Sequence, residues 1–246
     1  MNLFGGLCKN THNLVGIYIH GSIAFQCFNW DKSDIDFIVV VDHGISQQIK
    51  LDLLNVLENL RSQAPIKGFE MSVVLKRFCT DFEYPTPYEL HFSNSWLTRY
   101  LENPFELCTD DFKTDPDLAA HFTVIKQVGI VLIGEPIIKV FGDVPKEDYI
   151  DSIRLDIQNA KQDVLDNPIY VILNLCRVYA YLKDGLILSK EQGGQWGLNH
   201  LPKAYINVIM ESINNYSKSE PLILDNMARI DFCDYMLKQI SNLSMF

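Results

Sequence analysis

Two aspartates one residue apart, Asp34 and Asp36, have the clearest chemical potential in this 246-residue sequence. On a strand, residues i and i+2 face the same way, so both carboxylates would project to one side. Carboxylates held side by side repel unless a cation lies between them or one is protonated. Mg²⁺ takes oxygen ligands and commonly binds through one or two carboxylates together with substrate phosphates. Asp-x-Asp at a strand start therefore suits a platform for a magnesium-bound nucleotide. The bare pair is a weak signal, because such pairs are common on solvated turns, and its surroundings strengthen it. Gly21-Ser22 closes the preceding apolar run, where a glycine lets the backbone approach a phosphate and Ser22 can donate to its oxygens. Ser33 stands directly before the acid pair and can donate likewise. Glu70 opens a later apolar run, either as an exposed strand end or as a third metal ligand or a general base for an attacking hydroxyl.

The elements that must position these groups are legible in outline. Leu14 to His20 is a β-rich run, Phe37 to Val41 a second strand and Glu70 to Leu75 a third. Between His43 and Arg61, apolar residues recur at helical spacing (Ile45, Ile49, Leu53, Leu54, Val56, Leu57, Leu60). Strands alternating with helices make the first half an α/β domain. A stretch rich in aromatics and prolines follows, Phe82 to Phe105, and Asp115-Pro116-Asp117 then reads as a helix start. From there the spacing predicts helices at about 117–133, 146–165, 168–184, 201–216 and 222–243. Breaks are expected at Gly134-Glu135-Pro136, Asp166-Asn167-Pro168, Gly185, Gly193-Gly194 and Pro221. The whole is an α+β chain, with domains at 1–112 and 113–246.

Composition bounds the function. Hydrophobic residues are 48% of the chain, enough for a real core. No apolar run is long enough to span a bilayer, and Met1 to Asn13 does not read as a signal peptide. Six cysteines without a CxxC pair read as reduced thiols of a cytoplasmic protein. The net charge of −10 argues against a nucleic-acid partner and suits a cationic small molecule.

Gly21-Ser22, a short loop, Ser33-Asp34-Ile35-Asp36, a hydrophobic strand and a later acid-led strand together resemble the polymerase-β-like nucleotidyltransferases. One branch matches further: the aminoglycoside adenylyltransferases that modify spectinomycin and streptomycin. The likeness continues through Tyr88-Glu89-Leu90 to Trp96, Asp115-Pro116-Asp117-Leu118-Ala119, Ile133-Gly134-Glu135-Pro136, Leu173-Asn174-Leu175-Cys176-Arg177, Ser189-Lys190, Trp196, Leu201-Pro202 and Tyr216. The resemblance implies a nucleotidyltransferase domain with a mixed sheet and flanking helices, followed by an all-α helical bundle. It implies transfer of AMP from ATP to a drug hydroxyl with Mg²⁺, releasing pyrophosphate, by a monomer. By position, Asp34 and Asp36 match metal ligands, and Glu70 matches the catalytic base beside both metal and acceptor. Ser22, Ser33, Asp117, Arg177, Lys190 and Tyr216 match nucleotide-contacting positions, and Trp96 matches an aromatic at the substrate side.

The sequence also departs from the family. The loop Ile23 to Lys32 has no glycine where relatives hold one or two. The segment Gln158 to Pro168 lacks the Trp that streptomycin-modifying relatives carry, and Asn167 stands where they place an acid. Asp163 or Asp166 could replace that charge, but the missing Trp and acid together favour spectinomycin over streptomycin. Transfer to another small molecule or a macromolecule, and nucleotide binding without catalysis, stay open as alternatives.

Overall fold

The computed structural model describes residues 13–109, 113–218, 221 and 223–243. The chain forms two compact units, Met1–Tyr149 and Ile150–Phe246. The expectation for the N-terminal segment falls almost wholly outside the described residues.

The first unit is built on a five-stranded mixed sheet. Its strands are β1 (Leu14–Ile19), β2 (Ile35–Val41), β3 (Phe69–Leu75), β5 (Leu90–Phe92) and β7 (Ile130–Gly134), in the order β5-β3-β2-β1-β7. The short strands β4 (Thr86–Tyr88) and β6 (Lys113–Asp115) pair separately. β2 and β3 run parallel, and the other neighbours in the main sheet are antiparallel. The C-terminal parts of the two parallel strands, Phe37–Val41 and Val73–Leu75, are continuous apolar runs because both faces of the sheet are covered there. One face buries Phe37, Val39 and Val41 with Leu53, Leu54 and Leu57 of helix α1 (Gln47–Leu60), which the hydroxyl of Ser46 caps. The other face buries Tyr18, Ile38, Val40 and Val74 with Leu118, Phe122 and Ile125 of helix α2 (Leu118–Val128).

That second helix changes the domain picture. Residues 110–112, where the sequence reading puts its boundary, lie outside the described set. On both sides of them the chain stays with the sheet unit, since β6 pairs with β4, α2 covers a sheet face and β7 pairs with β1. The helix expected over 117–133 is also corrected. It stops at Val128, and Ile130–Gly134 is an edge strand. Gly129 breaks the helix, and the β-branched Ile130, Val131 and Ile133 favour a pleated conformation.

The second unit is helical. Helix α3 (Lys146–Leu155) spans the division between the units, and α4 (Pro168–Asp184), α5 (Lys190–His200), α6 (Ile206–Lys218) and α7 (Asn226–Leu243) follow. Pro168 sits in the first turn of α4, and Gly185 ends that helix with φ +70°. The break expected at Gly193-Gly194 is corrected, because α5 runs through both. Glycine costs a helix about 1 kcal/mol against alanine, and close packing offsets that cost here. A Cβ on Gly193 would lie 3.0 Å from the Arg177 backbone, and one on Gly194 2.7 Å from Ile213. Helix α5 starts on a reciprocal cap in which Ser189 accepts from the Gln192 N–H while the Gln192 side chain accepts from the Ser189 N–H. Among the described residues no helix is long and apolar enough to cross a membrane. Cys79, Cys108, Cys176 and Cys233 are buried thiols and Cys27 is half-buried.

Candidate active site

Strand alternation brings the carboxylates together. Asp36, Ile38 and Val40 share one face of β2, and Glu70, Ser72 and Val74 share the same face of β3. Asp36 and Glu70 are direct neighbours in the parallel register. Asp34, two residues before Asp36, joins them, and one carboxylate oxygen from each of the three lies within 4.8 Å of the others. Three oxygens at that spacing are a hard donor set of the kind Mg²⁺ accepts.

Gly21 makes room for this arrangement. It opens a single helical turn, Gly21–Ala24, at φ +57°, and a Cβ there would lie 1.8 Å from Asp36 Oδ2. Its absent side chain is thus required by a carboxylate of the protein itself. The Ser22 hydroxyl is buried without a hydrogen-bond partner among the described residues. Ser33 is buried, and its hydroxyl oxygen accepts from the Asn29 N–H at 3.2 Å, which leaves its proton available to donate. The glycine-free loop between them turns at Gln26, which takes a left-handed φ of 59°. Asn29 then closes the loop, its carbonyl accepting from the N–H groups of Lys32 and Ser33.

Helix α2 adds a second group to the same sheet face. Asp117 immediately precedes it without a side-chain capping hydrogen bond, and the Asp117 N–H donates to Asp115 Oδ1 at 2.9 Å. One turn on, His121 Nε2 lies 3.2 Å from Asp117 Oδ2 and 3.8 Å from Glu70 Oε1. Glu70, Asp117 and His121 therefore form a second cluster that shares Glu70 with the first. The His121 ring packs 4.5 Å from the ring of His20, which follows β1 and is buried. Burial by itself would lower the His121 pKa, but Asp117, with Glu70 and Asp115, outweighs it and raises the value to about 10. The effect on His20 is opposite: burial, with the cationic His121 alongside, pushes it well below the ordinary histidine value. Sequence reasoning missed both histidines. The available signal was that His121 falls between Leu118, Phe122 and Ile125 on the core-facing stripe of α2, four residues after an acid.

Trp96 follows β5 and is half-buried. Its ring contacts His91 at 5.7 Å, and the Arg99 guanidinium lies over it at 4.6 Å. His91 in turn hydrogen-bonds Ser72, two residues along β3 from Glu70.

The second unit holds the remaining expected residues. Arg177 on α4 donates to Asp156 Oδ2 at 2.8 Å, and the Tyr170 hydroxyl donates to the other oxygen of that carboxylate at 3.1 Å. Lys190 begins α5 with its ammonium 4.8 Å over the Tyr170 ring. Arg177 and Lys190 are thus joined through Tyr170 and Asp156, neither of which the sequence reading singled out. Tyr216 is buried on α6. Asp166 and Asn167 are exposed just before α4, and the Asn167 side chain makes no capping hydrogen bond there.

Known proteins are similar to this chain over most of its length. Residues 139–239 match the family model for the aminoglycoside adenylyltransferase C-terminal domain. An aminoglycoside (3'')(9) adenylyltransferase of Klebsiella pneumoniae is 24% identical, covering 94% of this chain and 88% of its own. A spectinomycin 9-adenylyltransferase of Staphylococcus aureus is 24% identical over 80% of this chain and 75% of its own. The crystal structure of an Enterococcus spectinomycin adenyltransferase with ATP and spectinomycin superposes with a TM-score of 0.80 at 18% identity, covering 98% of this chain and 97% of that one, and shares its fold. Residues 139–239 thus match the C-terminal domain of the aminoglycoside adenylyltransferases, and most of the chain is similar to members of that family.

Proposed function

We propose that this protein transfers AMP from ATP to a hydroxyl of an aminoglycoside-type antibiotic in a Mg²⁺-dependent reaction that releases pyrophosphate, with spectinomycin favoured over streptomycin. The observation that carries this reading is the convergence of Asp34, Asp36 and Glu70 within 4.8 Å. Those three residues would hold the cation, which when bound supplies charge stabilisation to the phosphate oxygens. The chain's own groups do the rest. Ser22 and Ser33 donate hydroxyl hydrogen bonds to phosphate oxygens. Glu70 accepts the proton of the acceptor hydroxyl as its oxygen attacks the α-phosphorus. Arg177 and Lys190 offset the negative charge that spreads over the phosphates as pyrophosphate leaves. Asp117 and Tyr216 contact the nucleotide, while Trp96, Asp166 and Asn167 face the acceptor. The relatives' names support an aminoglycoside-type acceptor, and two of the three quoted refer to spectinomycin alone. The missing tryptophan and the neutral Asn167 in Gln158 to Pro168 favour spectinomycin. The same reading has the enzyme act as a cytoplasmic monomer on a small cationic molecule, without nucleic acid.

The test is pyrophosphate release from ATP and Mg²⁺ across a panel of aminoglycosides. Spectinomycin should turn over with a higher kcat/KM than streptomycin. Asp36→Ala and Glu70→Ala should each lose about 10²-fold or more. Unchanged turnover in either variant would refute these roles, and a preference for streptomycin would refute the acceptor assignment.

A further inference from the structure

The sheet face that carries the metal-binding carboxylates also carries an imidazole to which the reading above gives no task. His121 occupies a core-facing slot of α2, which in a helix of this kind is ordinarily apolar. Its Nε2 points at two carboxylates, Asp117 at 3.2 Å and Glu70 at 3.8 Å. Its Nδ1 is buried with no hydrogen-bond partner among the described residues. A histidine retained for packing alone would leave a polar atom unsatisfied for no return, so the Nε2 contacts are what the placement serves. The ring is also confined. His20 lies 4.5 Å from it and is 3% exposed, so His121 approaches the carboxylates from one fixed direction. Glu70 belongs both to the cluster with Asp34 and Asp36 and to the cluster with Asp117 and His121. Whatever fixes one side of the Glu70 carboxylate determines how the other side meets Asp34 and Asp36.

We propose that His121 is a positioning residue of this centre: its Nε2 hydrogen bond fixes Asp117, and its contact with Glu70 Oε1 orients the carboxylate shared by the two clusters. This rests on the catalytic reading of Glu70 given above. A donor of the right reach would keep part of the function, and an apolar residue of similar size would not.

Three proteins are compared: the wild type, His121→Leu, which removes the donor, and His121→Gln, whose side-chain N–H can take the place of Nε2–H. Folding of each is checked by its thermal melting curve. With ATP and spectinomycin, His121→Leu should lose at least tenfold in kcat with a smaller change in KM for ATP, and His121→Gln should recover most of that loss. Equal kcat in the Leu and Gln variants, or wild-type kcat in both, overturns the proposal. A second measurement needs no acceptor. Mn²⁺ binding to each folded protein, titrated by electron paramagnetic resonance, should differ at least threefold between wild type and His121→Leu, with His121→Gln closer to wild type. Identical Mn²⁺ binding in all three overturns the proposal. If the wild type turns over no acceptor while Mn²⁺ binding follows this pattern, the antibiotic reading fails and the positioning role stands.

Discussion

Replacing Gly21 by alanine separates backbone strain from damage to the carboxylate centre. Two effects meet at this residue. Its φ of +57° is left-handed, where a residue with a Cβ pays about 1–2 kcal/mol. The new Cβ would also lie 1.8 Å from Asp36 Oδ2 and 2.6 Å from Asp36 Cγ. The carboxylate must retreat by more than 1 Å to reach a tolerable 3.0 Å contact. Asp36 cannot move freely, because its backbone is held between β1 and β3, and its carbonyl accepts from the His20 N–H at 3.0 Å. Displacement of a reacting group by about 1 Å can cost on the order of 10²-fold in rate. Gly21→Ala should therefore lose about 100-fold in kcat and a few degrees in Tm, a chain of this size shifting roughly 2–4 °C per kcal/mol. Gly185→Ala is the control. It has a similar φ of +70°, with nothing within 4 Å of its Cβ. That variant should lose comparable stability and keep its turnover. The assay is pyrophosphate release beside a melting curve for each protein. Wild-type kcat in Gly21→Ala, or an equal activity loss in Gly185→Ala, would refute the argument that Gly21 exists to accommodate Asp36.

Other expectations follow from the second unit and the thiols. Asp156→Asn removes the charge that Arg177 and Tyr170 share, so KM for ATP should rise several-fold, and loss of the charge-assisted bond should cost about 1.5–3 kcal/mol in urea unfolding. Gly193→Ala places a methyl 3.0 Å from the Arg177 backbone and should cost about 1–3 kcal/mol by forcing α5 from α4, where Gln195→Ala on the exposed face of the same helix should not. Burial pushes the Cys176 thiol up to about 12, and Cys79 is raised by the same cause. At pH 8 in the native protein, a thiol reagent followed by peptide mapping should therefore label Cys27 before Cys79 or Cys176, all three becoming equal only in denaturant.

Much of the centre was readable because it depends on short-range periodicity. Asp34 stands just before β2, two residues from Asp36 within it, and Glu70 is the second residue of β3; that Glu70 lies beside Asp36 is decided by the parallel register of the two strands. The run from Gln47 to Leu60 announces its helix by apolar spacing alone. Helix α2 and β7 were harder. Apolar residues recur at helical spacing from Leu118 to Ile133, and only the pairing of β7 with β1 shows that Gly129 divides the run. Gly193 and Gly194 read as a break because local propensity is all a sequence offers, whereas the contact with α4 that retains them in a helix is tertiary. The same limit hid Asp156 and Tyr170, which gain meaning only beside Arg177 and Lys190.

The amino-acid order by itself therefore determined the Asp34–Asp36 pair, the strands β2 and β3 and the helical character of the second half, since each follows from local spacing and residue chemistry. Tertiary structure alone decided that α2 and β7 belong to the sheet unit and that His121 meets Glu70. It also decided that Gly21 is empty of a side chain for the sake of Asp36. The physical reason is common to these cases. Each depends on the approach of segments far apart in the chain, where close packing and paired charge outweigh the local preferences from which a sequence is read.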